Sequence, residues 1–156
     1  MEIVAALANW PGAQWLQRSG TAYLVVNAAH ILGIGLLVGA ILPLDLRLAG
    51  VIRGAPLSVL APFLRRAAAF GLALALPTGF WLFTVKPADY LANPAFLWKL
   101  GLLLAALANI ALQHAGPGYG AALATERPRL RVRLLALTSA TLWLAVLLAG
   151  RWIGFV

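Results

Sequence analysis

The sequence predicts an all-α fold: a four-helix transmembrane bundle preceded by a helix lying in the membrane interface. Three observations carry that prediction. Of the 156 residues 63% are hydrophobic and 10% charged, against about 45–50% and about 25% in soluble domains, too little polar surface to cover a water-soluble core. The charges leave four long gaps, of 26 residues between Arg18 and Asp45, 19 between Arg66 and Lys86, 26 between Lys99 and Glu126, and 17 between Arg133 and Arg151. A spanning helix needs about 20 mostly apolar residues, because an ionised side chain is costly in hydrocarbon. Finally, the runs do not alternate as barrel strands do, and in lipid every backbone polar group must be satisfied within its own segment, which selects helices.

The elements follow in order within one membrane domain covering residues 1–156. Residues 2–18 lack the basic start of a signal peptide, with Glu2 where positive charge belongs. Ile3, Val4, Leu7, Trp10, Trp15 and Leu16 instead suit an interfacial helix broken at Pro11-Gly12. Spans are expected near 20–43, 64–85, 96–115 and 133–152. Ser19 is an N-cap for the first span, and Pro43 need not stop it at once. Pro77 removes a backbone hydrogen bond inside the second span and should kink it, with Thr78 and Gly79 easing the bend. Asn93-Pro94 opens the third span as cap and first turn, and Gly116-Pro117-Gly118 closes it.

Orientation comes from the basic residues. The loops after the first and third spans hold Arg47, Arg53, Arg65, Arg66, Arg127, Arg129, Arg131 and Arg133, whereas the opposite face holds Arg18, Lys86, Lys99 and Arg151. That asymmetry places the two loops in the cytoplasm of a bacterial inner membrane and both termini outside. Trp10, Trp15, Trp81, Trp98 and Trp152 then gather on the outer face as an aromatic belt. The run Arg127 to Arg133 beside a span reads as a contact with anionic lipid headgroups, not nucleic acid.

Without cysteine the chain has no disulfide, thiolate metal site, iron–sulfur cluster or cysteine nucleophile. No Ser/His/Asp set or phosphate-binding glycine loop appears, and the four carboxylates are expected outside the apolar spans, with Asp45 paired to Arg47 or Arg53. Hydrolase, kinase and proton-pump chemistry therefore lack their residues. The chemistry that remains sits on two histidines. His30, in the middle of the first span, has Asn27 three residues before it and Gly33 three after, so one helical face offers a polar pair beside room for a flat ring. His114, at the end of the third span, lies near Asn109 and Gln113. One imidazole on each of two helices is what a bis-histidine b-type haem requires. With the third helix centred near residue 106, His114 sits about 12 Å further toward the cytoplasm; centred nearer 110, the offset falls to about 6–8 Å and one iron can take both. Two imidazoles are too few for a zinc or copper site made by protein alone. Lys99 suits a snorkelling anchor, or a partner for Asp89 or for a haem propionate.

At these residues the chain resembles a family of uncharacterised bacterial four-helix integral membrane proteins. The matching pieces are His30-Ile31-Leu32-Gly33, Asp45-Leu46-Arg47-Leu48, Thr78-Gly79-Phe80-Trp81-Leu82-Phe83 and Asn93-Pro94-Ala95-Phe96-Leu97-Trp98-Lys99, spread over about residues 20–115. The resemblance implies a membrane bundle and brings no activity with it. More distantly the chain is similar to membrane cytochromes b and to copper-resistance D-type bundles. Two-haem cytochromes use four histidines, so one haem is the ceiling here.

The expectation is thus a membrane protein with one haem b, held by His30 with His114 as second ligand or entrance residue. Gly33 would give the ring space, Asn27 and Asn109 hydrogen bonds, and Lys99 a propionate contact. Its role is electron transfer with a quinone or a redox protein, or haem sensing. Two alternatives stand beside it. One is a packing or assembly subunit without cofactor, oligomeric through Gly35 and Gly39. The other is a small-solute transporter with a cavity lined by Asn27, Thr78, Asn109, Thr138 and Thr141.

Overall fold

A computed structural model describes residues 2–156. Two short helices, α1 (Glu2–Asn9) and α2 (Pro11–Arg18), precede the long α3 (Gly20–Ala49) and α4 (Leu57–Phe83). The short α5 (Pro87–Ala92) leads into α6 (Pro94–His114), and α7 (Gly118–Thr125) leads into α8 (Leu130–Trp152), which ends in a 3₁₀ turn at Ile153–Phe155. Four helices, α3, α4, α6 and α8 with its terminal turn, are long and apolar enough to cross a membrane. No strand occurs among the described residues.

The helices outrun the charge-free segments. α3 continues through Pro43 to Ala49, and α4 begins at Leu57, ahead of Arg65 and Arg66. Gaps between charges mark where hydrocarbon must begin and end, whereas backbone hydrogen bonding continues through polar turns in the interface. Ser19 caps α3 as the sequence suggests, its Oγ accepting from the Ala22 N–H at 3.2 Å. Gly50 closes α3 in the left-handed conformation at φ 81°, which glycine adopts without Cβ strain.

The bundle is assembled chiefly from α3 on α4, α6 on α8 and α3 on α8, so the order around it is α4, α3, α8, α6. α4 and α6 make no comparable contact along their lengths. At one end Phe83 and Phe96 join them, stacked with ring centroids 5.4 Å apart and planes 2° from parallel. The tightest approach is between α3 and α4. A Cβ on Gly33 would stand 2.8 Å from the Ala75 nitrogen, and one on Gly71 would stand 2.5 Å from the Leu37 nitrogen and 2.7 Å from the Gly33 oxygen. These two glycines let the backbones touch. Gly35 and Gly39 have nothing within 4 Å of their Cβ positions and face away from the bundle.

Apolar side chains pack in three tiers. Leu16, Ala22, Val26 and Leu82 form the first at the tryptophan-rich end, Leu37, Ala40, Ala68, Ala106 and Trp143 the middle one, and Leu44, Leu48, Leu57, Ala61, Tyr119, Val132 and others the tier at the arginine-rich end. At the tryptophan-rich end the belt divides. Trp10 and Trp15 flank Trp81 at 6.2 and 5.8 Å, and their end of the chain is pinned by Trp10 Nε1–H to Thr84 Oγ1 at 3.1 Å and Trp81 Nε1–H to the Gly12 carbonyl at 3.0 Å. Trp98 and Trp152 remain exposed.

The arginine-rich end corrects one pairing. Arg47 joins Glu126 at 3.0 Å, the sole salt bridge among the described residues, and Asp45 pairs with neither Arg47 nor Arg53. Helical residues two apart face away from each other, so with Arg47 directed at Glu126 on the α7–α8 linker, Asp45 points into the bundle. The second oxygen of Glu126 accepts the Ser58 N–H at 3.2 Å, so a carboxylate from the α7–α8 linker caps the first turn of α4, whose own cap Pro56 has no side chain for the task.

That latch has a pH signature. The Leu57 backbone N–H, followed by the Ser58 N–H and Arg47, holds the Glu126 carboxyl below its ordinary value of 4.5, outweighing partial desolvation. A depressed carboxylate stabilises the fold above its unfolded pKa, and that contribution disappears as pH falls through the folded value. The protection of the Leu57 and Ser58 amides against hydrogen exchange, taken relative to the intrinsic rate at each pH, should therefore fall on acidification from about pH 5 toward pH 3 in the wild-type protein. Glu126→Gln should exchange faster already at pH 6 and show no such acid step. An acid step that survives in Glu126→Gln assigns the pH dependence elsewhere.

Candidate functional site

The two histidines have separate surroundings. His30 projects from α3 onto α4 beside Pro77, where its Nδ1 lies 2.9 Å from the Ala75 carbonyl and 3.2 Å from Thr78 Oγ1. A carbonyl only accepts, so Nδ1 carries the proton and Nε2 of the neutral ring keeps a free lone pair. Thr78 sends its own proton to the Leu74 carbonyl at 2.6 Å, which leaves its oxygen to share the His30 proton. Gly79 makes this seating possible, since a Cβ there would come within 2.7 Å of His30 Cε1.

Gly33 does not act as foreseen. The space its missing side chain leaves is filled by the α4 backbone at Gly71 and Ala75, so no flat ring can approach α3 there. Packing took the gap because a glycine on the inward stripe of a helix serves a neighbouring backbone as well as it serves a ligand. Asn27 lies one turn nearer the tryptophan-rich end and is half-buried. Lys99, on the facing half of α6, lays its stem over Gly150 of α8 at 3.5–3.6 Å. It makes no salt bridge, with Asp89 or any other described residue.

His114 lies at the opposite end of the bundle. Its Nδ1 is 2.8 Å from the Ile110 carbonyl of its own helix, and its ring stands 4.7 Å from that of Tyr119. It lines a cavity of about 170 Å³ enclosed by α3, α4, α6 and α8, with Tyr119 at its edge. Asn109 lines the same cavity, its amide N–H committed to the Leu135 carbonyl at 3.0 Å. His30, Asn27 and Lys99 do not. The fold thus brings His114 and Asn109 to one cavity, and sets His30 against α4 and Lys99 against α8 away from it.

Two expectations about this cavity change. Asp45, expected outside the spans, is inside the bundle at 4% exposure and lines the wall with Ser139 and Gln113. The solute cavity foreseen from Asn27, Thr78, Asn109, Thr138 and Thr141 does not form from that set: of the five only Asn109 lines this cavity. Thr138 and Thr141 are exposed, and Thr141 returns its hydroxyl proton to the Leu137 carbonyl of its own helix at 3.0 Å. The missed residues had a signal in the sequence. Asp45 follows Leu44 and precedes Leu48 by three on the stripe that includes Leu37 and Ala40, whose spacing marks the buried face of α3. No group of three or more His, Cys, Asp or Glu able to hold a metal ion occurs among the described residues.

Comparison with known proteins places these features in a wider set. The model of a family of unknown function (DUF6644) matches residues 9–156. No curated protein and no solved structure matches the chain.

Proposed function

This chain belongs to the DUF6644 family of unknown function, and we propose that its bundle carries one b-type haem on His30 for electron transfer or haem sensing, without catalysing a reaction of its own. The observation that supports the reading is the seating of His30, whose Nδ1–H is held by the Ala75 carbonyl at 2.9 Å. Metal-bound histidines are oriented in this way, the second nitrogen anchored to a carbonyl or carboxylate so that Nε2 is neutral and aimed. Lys99, a cation without an ion pair, suits a propionate, and Asn27 supplies an amide one turn from His30. Haem, when bound, supplies one-electron chemistry. His30 would be the iron ligand, with the Ala75 carbonyl fixing its ring, and Lys99 would offset the charge of an acid group. Gly33 has no part in the cradle, and His114, lining a cavity that His30 does not reach, is not a ligand to the same iron in this reading. A quinone or a redox protein in a bacterial inner membrane would be the electron partner.

A site that depends on His30 alone would differ from a bis-histidine site in its response to an added small ligand and to loss of His114. Protein expressed with haem supply and purified in detergent should show a reduced b-type spectrum at about one haem per chain. Carbon monoxide should shift that spectrum, His30→Ala should abolish it, and His114→Ala should retain it. Colourless wild-type protein that refuses added haem overturns the proposal in favour of a packing or assembly subunit. Loss of colour in His114→Ala with no response to carbon monoxide restores the two-histidine site.

A further inference from the structure

The cavity at the arginine-rich end is a second site, independent of His30. Two of its polar side chains are more than nine-tenths buried, Asp45 at 4% and Gln113 at 9% exposure. Each has an oxygen without a hydrogen-bond partner, Asp45 Oδ2 and Gln113 Oε1. The Gln113 amide cannot cure this by turning over, because its Nε2–H is used by the Val132 carbonyl at 3.2 Å. A flip would set one oxygen against another. What these two buried side chains leave unmet are therefore hydrogen-bond acceptors, which are unfavourable in an apolar setting. A ligand of the cavity must donate.

Size and access narrow the class. The remaining wall is mostly apolar, from Leu37, Ile41, Leu44, Leu72 and Ile110, so the ligand is largely apolar too. A volume of about 170 Å³ falls below the roughly 300–1,000 Å³ of pockets that enclose whole drug-sized molecules, and holds one ring. Any larger molecule must leave part of itself outside. The exit is the seam between α4 and α6, which do not pack along each other; Ala69 on α4 and His114 on α6 both line the cavity and are exposed at that seam. For a helix pair long enough to span a membrane, such a seam opens on the acyl chains. Arg65 on the wall opposes a cationic head, so the donor is neutral, and the tilted His114–Tyr119 ring pair offers an aromatic face.

We propose that this cavity binds the hydroxylated ring of a lipid-soluble quinol, a ring hydroxyl donating its one proton to Asp45 Oδ2 or to Gln113 Oε1 while its tail leaves between α4 and α6. The inference does not rest on the haem reading, since His30 and Lys99 lie outside the cavity.

The test is thermal unfolding of the detergent-purified chain with decylhydroquinone as probe. Its dimethyl ether serves as the donor-free control, and decanol as the control with tail and hydroxyl but no ring. A ligand that binds only the folded state raises the melting temperature with concentration. Decylhydroquinone should do so saturably, and the two controls should not. Asp45→Leu, which keeps the heavy-atom branching but removes the acceptors, should weaken the effect about tenfold or more. Ala69→Phe, placed on the exposed seam where the fold tolerates bulk, should abolish it without lowering the ligand-free melting temperature. The response should persist in His30→Ala, which separates this site from the haem. Equal stabilisation by the dimethyl ether removes the hydrogen-bonding argument, and equal stabilisation by decanol removes the ring. An unchanged response in both Asp45→Leu and Ala69→Phe removes the cavity.

Discussion

Gly71→Leu should separate α3 from α4 and give the largest loss of stability of any single substitution in the bundle. Leucine gains up to about 1 kcal/mol of helix propensity over glycine, so on an isolated helix the change is favourable. In the bundle a Cβ at position 71 meets the Leu37 nitrogen at 2.5 Å and the Gly33 oxygen at 2.7 Å. Both are main-chain atoms, which no rotamer change moves aside. Relief requires displacing α3 itself, and overpacking of this kind costs about 1–3 kcal/mol or more. The clash wins over propensity. Gly33→Ala, facing the Ala75 nitrogen at 2.8 Å, should act in the same direction with a smaller amplitude, whereas Gly35→Ala, with nothing within 4 Å, should be neutral or slightly stabilising. Unfolding of the three variants in mixed detergent gives the comparison. A Gly71→Leu protein as stable as Gly35→Ala means that α3 and α4 do not cross at these glycines. His30 registers the same displacement, because its Nδ1–H bond to Ala75 depends on the crossing.

Asn93→Ala should be the next most costly. Its Oδ1 accepts from the Ala95 and Phe96 N–H groups at 3.0 and 3.2 Å, starting α6, while its Nδ2 donates to the Ile153 and Val156 carbonyls at 3.2 and 3.0 Å. One amide therefore caps a spanning helix and ties down the end of the chain. Loss of an N-cap costs about 1 kcal/mol, and each further hydrogen bond about 1 kcal/mol net, less where water replaces it. The expected total is about 2 kcal/mol. Asn93→Asp separates the two roles, because its carboxylate still caps α6 but cannot donate. It should keep slow amide exchange at Ala95 and Phe96 while Phe155 and Val156 exchange freely. If Asn93→Asp loses protection at Ala95 and Phe96 as well, the cap does not act through the side-chain oxygen.

These two residues show unequal legibility. Asn93 could be read directly, since Asn-Pro before an apolar run combines a side-chain acceptor with a preset φ, and both effects are local. Its second role could not, because the carbonyls it reaches are about sixty residues away along the chain, at Ile153 and Val156. Gly33 was legible as a gap in a helix face, but what fills a gap is a matter of what lies opposite. The same holds for Asp45. Its place on the inward stripe of α3 follows from helical spacing, yet Arg47 two residues later invited a pairing that helix geometry forbids and that Glu126 supplies instead.

Four apolar helices, the Ser19 and Asn93 caps of two of them, the break at Pro11 and the position of His30 on a helix face follow from the sequence by itself. Each depends on hydropathy, periodicity or backbone chemistry within a few residues, and such effects act before any helix meets another. Only the tertiary structure decided that Gly33 meets Gly71, that His30 rests on the Ala75 carbonyl, that His114 and Asp45 share a cavity His30 does not reach, and that a seam remains between α4 and α6. Those outcomes depend on the rotation and depth of one helix against its neighbour. In a chain where nearly every helix face is apolar, hydrophobicity no longer distinguishes one face from another. Close backbone contact and the need to satisfy the few buried polar groups make that choice instead.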